Sequence, residues 1–316
     1  MKFFLLLFLF NVSIFAGELL SPKFHFTASG SVNDIVVKGN KLYAATDASC
    51  LDIFNLKTHK KIQTIKLEKI VDFMGDIIDA TIFSVDVIDN QIMMLSQGLD
   101  GYSRIYLYQD AKLSLLIKNR DKLAVSKAKF LNNDTLLLGL LSDEIISYNI
   151  KTNKQNYRID SSSSKFSDFV LNEDKSQVVV ADESGNLQLL RTKDGKHLHS
   201  FNGQNLDEVF GVDYKKGIII TAGKDRRVVV YDTNSNDSYY KSSSFFIYSV
   251  GLSPSGIIAG YSSDVHNNIT IFNTKTKSII AEYGGNRSPL SKILFVSEKE
   301  FIVSSASKKI NLYQLH

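Results

Sequence analysis

The feature that most constrains this chain is a strand-forming motif that returns about every 41 residues. It is clearest at RVVVYDT, around Tyr231. Versions of it stand around Phe54, Tyr108, Tyr148, Leu190, Phe272 and Tyr313, as LDIFNL, RIYLYQD, EIISYNI, NLQLLRT, NITIFNT and KINLYQL. Successive intervals are 54, 40, 42, 41, 41 and 41 residues. Five of the six agree within one residue, and a period of that size marks a repeat architecture.

Each unit holds more than the motif. About ten residues upstream is a strand ending in small residues, as in KLYAATD (41–47), QVVVADE (177–183) and GIIITAG (217–223). Upstream again is a third strand, such as VNDIVVK (32–38) or FSDFVLN (166–172). Downstream comes a Lys/Thr turn and a fourth strand, as in TKDGKHLHSF (192–201). Four short strands per unit is the layout of a propeller blade. One such sheet cannot cover both its faces, so blades stack radially until the ring closes. Consecutive apolar positions in IIITA and VVVAD suit sheets buried on both sides. Ala181, Ala222, Gly223 and Ala259 are the small residues expected where neighbouring blades approach. The seventh unit reaches His316 just after its third strand, and KFHFTAS (23–29) reads as a strand before the first complete unit. The expectation is an all-β, seven-bladed propeller over residues 17–316, a monomeric ring closed by its N-terminal strand.

The chain opens MKFFLLLFLFNVSIFAGELL, with a charge at Lys2 and an apolar run to about Ala16. That is the layout of a secretory signal peptide, here residues 1–16. The run is short for a membrane span, which needs about 20 apolar residues. The sequence therefore predicts an exported, periplasmic protein with no stable membrane insertion once the signal is removed. Cys50 is the only cysteine, which excludes an internal disulfide and a Cys-based metal or redox pair and reads as a buried small residue.

Thirty-seven basic residues face 33 acidic ones, interspersed without a basic block, so nucleic acid is not an expected partner. Catalytic signatures are missing as well. There is no Gly-x-Ser-x-Gly elbow, phosphate loop, dinucleotide fingerprint or calcium loop. The six histidines, His25, His59, His197, His199, His266 and His316, fall in outer strands, turns or the C-terminus. His197 and His199 share a strand face, but a pair without a third ligand makes a weak metal site. No catalytic, cofactor or metal residues are assigned.

One irregularity carries the functional expectation. The 54-residue first interval leaves about 13 extra residues, LEKIVDFMGDIIDA (67–80), between the first two blades. They read as a short helix or extra hairpin on the face where propellers dock partners. Long loops on rigid scaffolds tend to carry binding. The candidate residues are Ile70, Val71, Asp72, Phe73, Met74, Asp76, Ile77, Ile78 and Asp79. A secondary patch is Tyr239, Tyr240, Phe245 and Phe246.

AGKDRRVVVYDT (222–233) and YSVGLSPSGIIAGYS (248–262) resemble WD40 repeats, and the resemblance covers essentially the whole mature chain. It departs from that class in having no Trp and no Gly-His dipeptide, so the hydrogen-bond network of the eukaryotic repeat cannot form. The overall layout and the Lys/Asn/Ile/Phe-rich composition resemble a narrower family, NapL, the WD40-like periplasmic accessory proteins of nitrate reductase systems. That resemblance implies a non-catalytic scaffold supporting the assembly or function of periplasmic nitrate reductase, with its subunits as partners and no cofactor of its own. Two other readings stand beside it: a metal-dependent propeller hydrolase or lactonase with a divalent ion on the axis, and a component of outer-membrane protein assembly.

Overall fold

A computed structural model describes residues 19–315. The expected signal segment and His316 lie outside the described residues. Seven four-stranded antiparallel sheets make up the ring, and among the described residues one 3-10 turn, Asn119–Asp121, is the helical exception. The inner strands of blades 1 to 7 are Val32–Lys38, Ile82–Ile88, Val125–Asn132, Phe166–Leu171, Val209–Lys215, Val250–Leu252 and Leu290–Phe295. This is the seven-bladed propeller that the 41-residue period predicts.

The recurring motif is the third strand of every blade, and its central residue keeps one register. Phe54 faces Leu42, Tyr148 faces Leu136, Tyr231 faces Ile219 and Tyr313 faces Phe301 across the second strand. The residue ending this strand explains the polar exit. Asn55 Oδ1 accepts the N–H groups of Lys57 and Thr58 at 2.9 Å, and Asn149 and Asn273 do the same for their own turns. Such a side chain mimics a backbone turn. Four residues beyond the strand end the backbone turns left-handed, at His59, Asn153, Gly195, Asn236 and Lys277.

Closure follows the expected route. Phe24–Thr27 pairs with Lys309–Gln314, from Phe24 opposite Leu312 to Thr27 opposite Lys309. Phe26 is buried against the Phe54 ring, with centroids 5.3 Å apart. Just past the strand, buried Asp52 accepts from the Ser29 N–H at 2.6 Å and the Thr64 hydroxyl at 2.6 Å, with the Lys61 ammonium at 3.1 Å. The closing strand is thus tied to blade 7 by its backbone and to blade 1 by a carboxylate.

Small residues at blade junctions are only partly the ones expected. Ala181, Ala222 and Ala259 are buried. Gly223, however, is crowded by Asp225 and the Arg227 carbonyl of its own turn, so its smallness serves the turn and not the neighbouring blade. The close approaches fall at Gly139, where a Cβ would sit 2.6 Å from the Phe166 ring of blade 4, and at Gly251, against the Ile293 carbonyl of blade 7.

In blades 1–5 and 7 the inner strand carries a register shift after its first residue. A bulge re-aims the side chain it frees. The freed residues Asn33, Phe83, Ser126, Ser167, Phe210 and Ser291 all line the axial channel.

Candidate functional site

Because each blade is a simple meander, the connection from an outer strand to the next inner strand shares one face with the turn between second and third strands. On this upper face lie the 67–80 insertion and the mouth of the channel. The insertion is a hairpin, Ile70–Val71 against Ile77–Ile78. Its tip is built by Asp72, whose Oδ1 accepts the N–H groups of Met74 at 2.8 Å and Asp76 at 2.9 Å. Gly75 turns at φ 89°, a conformation that favours glycine. Both ends of the insertion are clamped to one residue: the Leu67 N–H donates to the Ser49 carbonyl and the Ala80 N–H to the Ser49 hydroxyl. Lys69 and Asp79 add an ion pair at 3.4 Å across the base.

The nine candidate residues therefore divide by position. Ile70 is 3% exposed and anchors the base, and Ile78 is half-buried. Asp72 shapes the turn and Asp79 pairs with Lys69, while Asp76 is exposed beside the tip. Phe73, Met74 and Ile77 are 95%, 73% and 72% exposed, with Val71 beside them. Other large exposed apolar residues of the upper face are Leu141, Leu206 and Val265. The secondary patch splits in two. Tyr239 and Tyr240 lie on the outer strand Asp237–Ser242, Tyr239 donating to the Thr274 carbonyl and Tyr240 stacking on Arg227. Phe245 and Phe246 join Tyr248 in an aromatic cluster, and Tyr248 stacks on Phe210 at 5.5 Å beside the channel mouth.

The channel itself was not legible as a site. It encloses about 480 Å³ along the axis. Polar contacts between inner strands close every blade junction around it. Asp34 accepts from the Val85 N–H, Asp86 from Phe130, Asp168 from Val212, Asp213 from Leu252, and Ser249 from Ile293, at 2.8–3.1 Å. Lys127 pairs with Asp168, and Lys292 with Asp34 at 2.8 Å. Lys129 reaches Asp34 at 3.0 Å and the Val85 carbonyl at 2.7 Å, linking blade 3 to blade 1. Burial opposes ionisation of Asp34, but the ammoniums of Lys129, Lys292 and Lys127 override it and hold the carboxyl far below its ordinary range. For Lys129 burial prevails and lowers the ammonium's pKa, whereas for Lys292 burial is outweighed by Asp34, with Asp168 and Asp213, and the ammonium is held above its ordinary value.

Other sequence candidates are accounted for locally. His197 Nε2 meets Gln188 and Ser200 at 2.9 and 2.8 Å, and the His199 ring packs edge-on against Phe201. Cys50 is buried, and burial pushes its thiol up. Among the described residues no group of three or more His, Cys, Asp or Glu side chains is placed to hold a metal ion. The signal for the channel was present all the same: a charged residue stands third in VNDIVVK, VSKAKF, FSDFVL and LSKILF, the inner strands of blades 1, 3, 4 and 7.

No family model matches the chain, and no curated protein matches it. Solved structures do. The β-propeller domain of Cps50 (Swd1) from Myceliophteria thermophila superposes with a TM-score of 0.74 at 12% identity, covering 93% of this chain and 99% of that one. At that identity the likeness shows the fold alone, a β-propeller.

Proposed function

We propose that this chain is a non-catalytic periplasmic scaffold that holds another protein on its upper face, with the 67–80 insertion as the docking element. The observation that carries the reading is the pinned hairpin. Its base is clamped at Ser49, yet Phe73 and Met74 stand out in solvent. An apolar tip on a rigid support resembles the aromatic and methionine anchors enriched at interface cores. Export is supported by Lys2 and the apolar run behind it. The resemblance to NapL proteins supplies the most specific form of the reading, in which the partner is a periplasmic nitrate reductase subunit.

The hydrolase reading finds less support. A divalent ion on the axis would meet Lys127, Lys129 and Lys292 among the carboxylates, and like charges at that range repel strongly. The outer-membrane assembly reading has no feature of its own in the described residues. Affinity capture of the mature chain from native periplasm, followed by mass spectrometry, tests the proposal. Nitrate reductase subunits that disappear on deleting 70–79 are the expected result. A different periplasmic protein lost in the same way keeps the scaffold and overturns its specific form, and no hairpin-dependent protein overturns both.

A further inference from the structure

The upper channel has a use that a docking scaffold does not require. Three ammoniums, Lys127, Lys129 and Lys292, converge there on the carboxylates of Asp34 and Asp168. Each ammonium has three N–H donors. Among the described residues, Lys127 uses one on Asp168 and Lys292 one on Asp34, while Lys129 uses two. More than half of these donors remain free. The carboxylates, by contrast, are tied into the wall. Asp34 accepts from Lys129 and the Val85 N–H on one oxygen and Lys292 on the other, and Asp168 is held by Lys127 and the Val212 N–H. Asp86 and Asp213 sit two residues further along their strands, about 7 Å deeper and level with the backbone of Lys129. They are fixed on the N–H groups of Phe130 and Leu252, with Lys215 3.7 Å from Asp213. The unfilled groups of the upper channel are therefore donors.

The wall around these donors is partly apolar. At blade 5 the wall carries no side chain. A Cβ on Gly211 would rest in ordinary contact with the Asp168 carboxylate, Ala222 and the Tyr248 carbonyl, at 3.8–3.9 Å. Above this bare stretch stand the stacked rings of Phe210 and Tyr248, with Phe83 across the mouth. The axial channel as a whole encloses about 480 Å³, in the range of small-molecule sites, which combine apolar walls with a few convergent polar groups.

We propose that the upper channel binds a small organic carboxylate with a flat apolar body, its carboxylate on Lys127 and Lys292 and its body against the rings of Phe210 and Tyr248 above the bare wall at Gly211. Charge-assisted bonds to a carboxylate are about twice as strong as neutral ones, so the charge is the main determinant of selection. This site stands apart from the docking hairpin, and the two readings fail or hold separately.

The test is a fluorine NMR titration of the mature chain with 4-fluorobenzoate, and with 4-fluorobenzamide as its neutral counterpart. Saturable binding of the acid is expected, at least tenfold tighter than the amide and weakened by added salt. Gly211→Val narrows the wall without removing a charge, although its methyls come against the Asp168 carboxylate, and Lys127→Met removes one ammonium. Both are expected to lose binding at least tenfold while keeping the wild-type circular dichroism spectrum. Should Lys127→Met unfold, Gly211→Val alone decides. No saturable binding, equal binding of acid and amide, or unchanged binding in a folded Gly211→Val variant would overturn the proposal.

Discussion

Replacing Asp143 by asparagine is expected to flatten the pH dependence of stability. Asp143 sits in the turn between the second and third strands of blade 3 and is only 1% exposed. Ser161 donates a hydroxyl to Oδ2 at 2.9 Å, whereas Oδ1 is buried without a partner. Burial pushes the carboxyl up to about 6, the Ser161 bond opposes this, and the nearby Asp182 charge adds to it. A raised carboxyl favours the folded state only while it is protonated. Its contribution is therefore complete below the ordinary carboxylate range and is lost as the pH rises through about 6. Moving a carboxyl from 3.8 to about 6 corresponds to roughly 3 kcal/mol against the ionised form. The turn borders solvent, and screening reduces that to about 1–2 kcal/mol. Asparagine keeps the Ser161 contact and tolerates the left-handed backbone at φ 70°. The assay is urea unfolding of both proteins at about pH 4, 6 and 8, where the difference in slope carries the effect. Wild type should lose about 1–2 kcal/mol relative to the variant between the lowest and highest pH. Parallel profiles would refute the reasoning.

Four other outcomes follow from the packing. Asp34→Ala leaves the half-buried Lys129 and Lys292 without their counter-charge and is expected to cost about 2–4 kcal/mol in urea unfolding. Phe26→Ala opens a cavity in the closing strand and should cost about 3–5 kcal/mol by the same measurement. Gly139→Ala drives a methyl into the Phe166 ring of the next blade, a loss of about 1–3 kcal/mol readable as a lower thermal midpoint. Phe73→Ser with Met74→Ser should leave stability within about 0.5 kcal/mol, because both side chains are already in water.

What was legible in the sequence had a period. The third strand repeats because Phe54, Tyr148, Tyr231 and Tyr313 occupy one register in their blades, and the Asx turns behind them repeat with it. Closure was legible because Phe24–Thr27 had no blade of its own. The insertion announced itself as surplus length, but its length did not reveal that Ile70 anchors while Phe73 projects. The channel escaped for a geometric reason. A one-residue register shift after Val32, Val125, Phe166 or Leu290 changes which face the following side chains take. Lys127, Lys129 and Lys292 therefore look like solvent charges on a strand until the ring places the first against Asp168 and the other two against Asp34, from blades up to 258 residues apart in sequence. Asp143 escaped because LSDE reads as an ordinary polar turn.

The central claim is that the upper-face hairpin meets a protein partner, and photo-crosslinking in cells tests it most directly. A benzophenone amino acid at position 73 would report contacts of the hairpin tip, and the same residue at position 198, on the outer strand His197–Phe201, would serve as the exposed control. The account predicts one discrete adduct from position 73, identified by mass spectrometry as a periplasmic protein, and none from position 198. No adduct from position 73, or the same adducts from both positions, would contradict it.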